Sequence, residues 1–140
     1  MGRKWVGAGV ALAGLLAASL ASAQGGEALS VAFQGPGGHS NGNYGRTSAV
    51  HAAARAITNM AATMDPASYV VSDFGGGNSV NSIASDAHFK VRLKGDAAAG
   101  RAAVEAAVKS GVQAENDFRG VKAGDLTGNV PATIRYTIKP

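Results

Sequence analysis

Residues 87–94 read Ala-His-Phe-Lys-Val-Arg-Leu-Lys, and no other stretch of the 140 residues limits the fold so sharply. Ala87, Phe89, Val91 and Leu93 alternate with His88, Lys90, Arg92 and Lys94. Successive side chains of a strand point to opposite faces, so this strand has one dry face and one wet, cationic face. Strands of this kind build antiparallel sheets covered on one side only. The same alternation sets Leu29, Val31 and Phe33 against Ser30, Ala32 and Gln34. It returns where Val130, Ala132, Ile134, Tyr136 and Ile138 face away from Thr133, Arg135, Thr137 and Lys139. A further strand spans Tyr69 to Phe74 and is closed by Gly75-Gly76-Gly77.

Two helices separate these strands. Thr47 or Ser48 supplies an N-cap, and Val50, Ala53, Ile57, Met60 and Met64 follow at spacings that make one apolar stripe. Asp65-Pro66 stops that helix. Asp96 caps an alanine-rich second helix with Val104, Val108 and Val112, reaching toward Phe118. Gly111 either ends it early or sits inside it at a cost of about 1 kcal/mol relative to alanine. The order β-α-β-β-α-β predicts an α+β, ferredoxin-like, two-layer open-faced sandwich, with a four-stranded antiparallel sheet and both helices on one face. Right-handed crossovers put the first and third strands in the middle. The strand Tyr69–Phe74 then becomes a bare edge with one charge, Asp73, and no proline, which favours pairing with another chain.

The beginning of the chain reads differently. Met1-Gly-Arg-Lys4 is basic, Trp5 to Leu20 is apolar, and Ala21-Ser22-Ala23 is a small-x-small cleavage site. This is the layout of a secretory signal peptide over residues 1–23, and it predicts a secreted or periplasmic product. Cleavage after Ala23 leaves residues 24–140, 117 of the 140 and a single domain. Loss of Arg3 and Lys4 lowers Lys plus Arg from 13 to 11 against 9 acids. A net charge of only +2 makes no case for nucleic acid or, after cleavage, for a membrane. With no cysteine there is no disulfide and no thiolate metal site.

The richest stretch chemically is residues 35–48, Gly-Pro-Gly-Gly-His-Ser-Asn-Gly-Asn-Tyr-Gly-Arg-Thr-Ser. Gly38-His39-Ser40-Asn41-Gly42 matches the G-x-S-x-G serine-hydrolase pattern. A nucleophile elbow, however, needs a strand ending just before the serine and a helix starting just after it. Here the helix waits until Ser48, and Asp86 with His88 would be an unsupported acid and base. Catalytic zinc wants three converging protein ligands, while His39, His51 and His88 fall on a loop, a helix and a strand. No phosphate loop is present. The open face carries His88, Lys90 and Arg92 without the aromatic rings that stack RNA bases.

Gly-Pro-Gly-Gly-His39-Ser, then a glycine loop, then Ser48-Ala-Val-His-Ala-Ala-Ala-Arg-Ala-Ile57 form a first motif. Gly75-Gly-Gly-Asn-Ser-Val-Asn81-Ser-Ile-Ala-Ser-Asp-Ala87 forms a second. Together they resemble the dimerisation (lid) domain of the co-catalytic zinc peptidases. These are family twenty of the metallopeptidases, relatives of aminoacylase, acetylornithine deacetylase, succinyl-diaminopimelate desuccinylase and glutamate carboxypeptidase. The resemblance spans nearly all of residues 27–140. It implies that His39 reaches across a dimer to stabilise the oxyanion in a partner's active site, and that Asn81 contacts the substrate's carboxylate or carbonyl. The family's V-D-x-R pattern is matched by Val91-Arg92-Leu93-Lys94. Lys94 thus stands where a substrate-binding arginine is usual and offers a point charge in place of a bidentate fork.

The family's catalytic half supplies H-x-D, a bridging aspartate, a Glu-Glu pair and a final histidine, none of which occurs in these 140 residues. The resemblance therefore implies a domain with no cofactor of its own, zinc belonging to full-length relatives, and no catalysis alone. It implies a homodimer through edge strand Tyr69–Phe74 and helix Ser48–Met64. A full-length metallopeptidase chain that takes His39 into its own site is the second partner expected.

Overall fold

The computed structural model describes residues 26–140; the expected signal peptide, residues 1–23, lies outside the described residues. The elements run β1 (Ala28–Gln34), β2 (Gly38–His39), α1 (Ala49–Thr63), a 3-10 turn (Pro66–Ser68), β3 (Tyr69–Gly76), β4 (Ser82–Ile83) and β5 (Asp86–Leu93). They continue with α2 (Ala97–Phe118), β6 (Leu126–Thr127), β7 (Val130–Pro131) and β8 (Arg135–Lys139). The main sheet has the order β3-β5-β1-β8, antiparallel throughout, with α1 and α2 on one face. This is the ferredoxin-like open-faced sandwich expected, with β1 and β5 central.

The strand alternation sets the core. Leu29, Val31 and Phe33 of β1 lie opposite Val91, Phe89 and Ala87 of β5, all buried, and their neighbours in sequence are exposed. The Phe33 and Phe89 rings sit 5.7 Å apart. On α1 the buried stripe is Ala49, Ala52, Ala53, Ala56 and Met60. The expected Val50, Ile57 and Met64 are only partly buried. Small side chains let α1 approach both the sheet and α2, which turns the larger ones to the flank. Gly111 explains how close that approach is. A Cβ there would lie 2.5 Å from the Ala56 nitrogen, so α2 runs unbroken past a glycine that the crossing requires.

Three local expectations are corrected. β3 does not stop at Phe74: Gly75 and Gly76 still pair with His88 and Ala87, beyond a bulge in which Asp73 takes φ 53. The last strand is divided. Val130–Pro131 pairs with Leu126–Thr127, and only Arg135–Lys139 joins the main sheet. Between them the chain is pinned from outside the ladder, because Thr47 Oγ1 donates to the Ala132 carbonyl at 2.6 Å and the Ile134 N–H donates to Asn116 Oδ1 at 2.8 Å. Phe118 is no core residue. It is 66% exposed, and the guanidinium groups of Arg55 and Arg119 stand 5.1 and 4.9 Å from its ring centre.

Among the described residues Glu115 is the one carboxylate in the core, with an exposure of 0%. Its Oε1 accepts from the Ser48 N–H at 3.0 Å and from Arg119 Nε at 3.3 Å, and its Oε2 accepts from Arg55 Nε at 3.2 Å. It therefore fastens the N-terminus of α1 to the last turn of α2. A buried carboxylate with three donors is satisfied, whereas the same group without them would be costly.

Candidate functional site

The glycine loop is more ordered than its composition suggests. Gly37 and Gly38 take φ values of 65 and 138, which favour glycine, and they turn the chain into β2. There Gly38 and His39 pair with Ile83 and Ser82 of β4. Ser40 N–H donates to the Asn81 carbonyl at 2.9 Å, and Arg46 Nη1 ties the far side of the loop to the Gly37 carbonyl at 3.0 Å. Beyond His39 the chain folds back on itself. The backbone N–H groups of Gly42 and Asn43 and the Asn43 side chain all donate to the His39 carbonyl, at 3.2, 3.1 and 2.9 Å. This two-stranded ribbon, absent from the sequence expectations, holds an exposed imidazole on a fixed support.

The ribbon brings two expected site residues together. His39 Nε2 and the Asn81 carboxamide are 3.1 Å apart, and the Asn41 N–H donates to His39 Nδ1 at 3.2 Å. Because Nδ1 accepts, the neutral ring carries its proton on Nε2. The network then closes with the Asn81 amide turned so that its oxygen accepts from Nε2–H and its nitrogen donates to Ser79 Oγ, 2.5 Å from the other end of the amide. His39 is thus an exposed imidazole whose N–H is held by the Asn81 amide, a donor that an oxyanion could use by displacing that amide.

The third expected residue lies elsewhere. Lys94 follows the last residue of β5, whereas Asn81 precedes its first, so roughly 25 Å of strand separates them. One chain does not bring Lys94 to His39. Ser40 and Asp86–His88 do not assemble as a triad either: Ser40 sits on the ribbon, and His88 pairs across the sheet with Gly75 and Ala32. Asp73 donates its charge to a pair on the open face, 2.8 Å from Lys90 Nζ. The hydrogen bond and charge of Lys90 hold that carboxyl below its ordinary value, with a smaller contribution from His88.

Among the described residues no three His, Asp or Glu side chains lie together as a metal would need. The donors present do not fit the zinc pair of full-length relatives. Glu115 is the residue that the sequence reading missed. Its signal was a charge spaced on the same helical face as Val104, Val108 and Val112.

The fold and site define a class: an open-faced α+β sandwich that holds an exposed imidazole on a ribbon and, among its described residues, has no cluster of metal-ligating side chains. The chain belongs to the peptidase dimerisation domain family, whose profile matches residues 23–118. Solved structures of similar shape include an aminobenzoyl-glutamate utilization protein from Klebsiella pneumoniae (21% identity, TM-score 0.54), matched over 80% of this chain and 26% of that one. A hydantoinase/carbamoylase family amidase from Burkholderia ambifaria matches at 24% identity and TM-score 0.53, over 82% of this chain and 27% of that one. Aminopeptidase PepT from Bacillus cereus matches at 15% identity and TM-score 0.51, over 80% and 28%. At such identities the likeness is one of fold. The chain spans about a quarter of the length of these structures. No curated protein matches it.

Proposed function

We propose that this chain is an exported dimerisation module that associates with a second copy through the free edge of β3 and the adjoining flank of α1, and is not catalytic alone. The observation that carries the reading is the edge itself. Among the described residues β3 has no neighbour on its outer side, and Val70 and Phe74 along it are 44% and 48% exposed. The other edge, β8, is shorter and ends in Arg135 and Lys139, charges that guard an edge against pairing. Beside β3, the half-buried row Val50, Ile57 and Met64 runs along the side of α1 turned away from α2. Antiparallel addition of β3 to its own copy would continue the sheet to eight strands and bury that row about a two-fold axis.

The same two-fold supports a role for the ribbon. It reverses the strand direction in the second copy, so the partner subunit's Lys94 falls at the end of the sheet that carries His39 and Asn81. Three strand spacings, roughly 14 Å, separate the two β5 strands. A donor pair from one copy and a cation from the other would then face one ligand. A second reading rests on the exposed and rigidly held His39: the domain lends it to the site of a zinc-dependent hydrolase on another chain. Light scattering at micromolar concentration tests the first reading, and a monomer at all concentrations sinks it. Co-elution with a full-length homologue, and a change in its turnover lost in His39→Ala, tests the second. N-terminal sequencing of exported protein, expected to begin at Gln24, tests the leader.

A further inference from the structure

We propose that the cleft between the His39 ribbon and the start of α1 is a binding site for a small oxyanion, a carboxylate or a phosphate group. The inference goes beyond the self-association reading and does not rest on it. The cleft holds about 380 Å³ and reaches from Ser40 and Ser79 on the ribbon to Ser48, His51 and Arg119 at the helix ends, with Arg46 on its wall. No aspartate or glutamate lines it.

Charge balance selects the ligand. Glu115, behind the cleft, is bonded to both Arg55 and Arg119, so one carboxylate faces two guanidinium groups. Arg46 bonds only a carbonyl, that of Gly37, and keeps its charge. The lining therefore holds two guanidinium groups, Arg46 and Arg119, and the one carboxylate behind it, Glu115, is shared between Arg119 and Arg55. Arg119 is also fixed in direction, by Glu115 at its Nε, by Phe118 beneath its plane and by His51 at its Nη2. His51 Nδ1 lies 3.4 Å from Arg119 Nη2 and 3.8 Å from Glu115 Oε1; a neutral ring that accepts from Arg119 carries its N–H on Nε2. Serine hydroxyls at 40, 48 and 79 complete a ring of donors around the space. A preorganised guanidinium among hydroxyl and imidazole donors suits a planar or tetrahedral oxyanion and offers nothing to a cation.

The test titrates sodium phosphate and, separately, succinate into the purified chain at constant ionic strength, reading backbone amide shifts. Saturable shifts at Ser40, Ser48 and Ser79 are expected, weakened fivefold or more in Arg119→Gln and in Arg46→Gln. Stronger binding of one titrant names the source, carboxylate or phosphate. Should Arg119→Gln fail to fold because Glu115 loses a partner, Arg46→Gln alone decides, since its guanidinium bonds only at the loop surface. Shifts that sodium chloride reproduces, or binding undiminished in the folded variants, overturn the proposal.

Discussion

Gly111 of α2 lies against the backbone of Ala56 on α1, where a Cβ would stand 2.5 Å from the Ala56 nitrogen and 3.1 Å from the Ala52 carbonyl oxygen. Substitution by alanine sets two effects against each other. Helix propensity favours Gly111→Ala by about 1 kcal/mol. Overpacking against backbone atoms that cannot swing aside costs about 1–3 kcal/mol. The clash is with main chain, so the second effect wins. Urea unfolding of Gly111→Ala is expected to show a net loss, and a gain in midpoint would mean that the helices can separate freely.

Glu115→Ala removes the acceptor shared by Ser48, Arg55 and Arg119. Breaking a buried ion pair from one side typically costs about 3–5 kcal/mol. Arg55 and Arg119 are partly exposed and can turn to water, which places the loss near the lower end, about 3 kcal/mol. Glu115→Gln keeps an acceptor for the Ser48 N–H and is expected to lose less. Equal losses in the two variants would show that the charge, and not the cap on α1, carries the effect.

Asp73 and Lys90 give the open face a pH dependence with a definite sign. The Asp73 carboxyl is held below its ordinary value of 3.8, so its contribution is complete above that pH and disappears as the pH falls through the lower folded value. Both groups are exposed, so the effect is small and shrinks with added salt. Asp73→Asn is expected to lose this small contribution at pH 7, and the two proteins are expected to converge in stability as the pH falls below 3.8. Parallel acid-unfolding curves for the two proteins would refute the pairing.

How much of this was legible in the sequence follows from the range of each interaction. β1, β5 and α1 declared themselves because alternation and helical spacing are local patterns that burial then obeys. The ribbon did not, since Gly38–His39 and Ser82–Ile83 are too short to show a period and find each other only across the fold. His39 and Asn81 were singled out through a resemblance; their contact depends on that pairing. Lys94 was picked in the same way and falls at the other end of β5, because a motif records residue types without recording where the fold sets them. The break before β8 was hidden for a related reason. Its apolar alternation continues through Val130 and Ala132, yet Thr47 and Asn116, both remote in sequence, capture that backbone.

The β3 edge offers a clean mutational probe. Lys94 N–H donates to the Ser68 carbonyl, and Ser68 and Lys94 continue the register in which Val70 faces Arg92 and Ser72 faces Lys90. Those residues bond inward, so the N–H groups of Tyr69 and Val71 point out of the sheet. Val71→Pro removes an outward donor and no bond of the ladder, and proline is tolerated at such an edge position. Circular dichroism is expected to stay native while light scattering shows monomer. An undiminished dimer would place the interface elsewhere.

Asn81→Ala separates the presentation of His39 from the stability of the domain. Both side chains are exposed, and loss of their contact should alter unfolding by no more than about 0.5 kcal/mol. The ring itself should change more. In the parent protein the Asn41 N–H at Nδ1 and the Asn81 amide at Nε2 select one neutral tautomer, with the proton on Nε2. Nitrogen-15 spectra of the imidazole are expected to show that tautomer predominating. In Asn81→Ala the Nε2 proton should exchange faster with water, while the Asn41 bond still favours the same tautomer. The outcome bears on the proposed role of His39 because the Nε2–H that Asn81 holds is the donor a ligand would have to take over. A ring found with its proton on Nδ1 would turn a lone pair outward, and such a ring cannot stabilise an oxyanion.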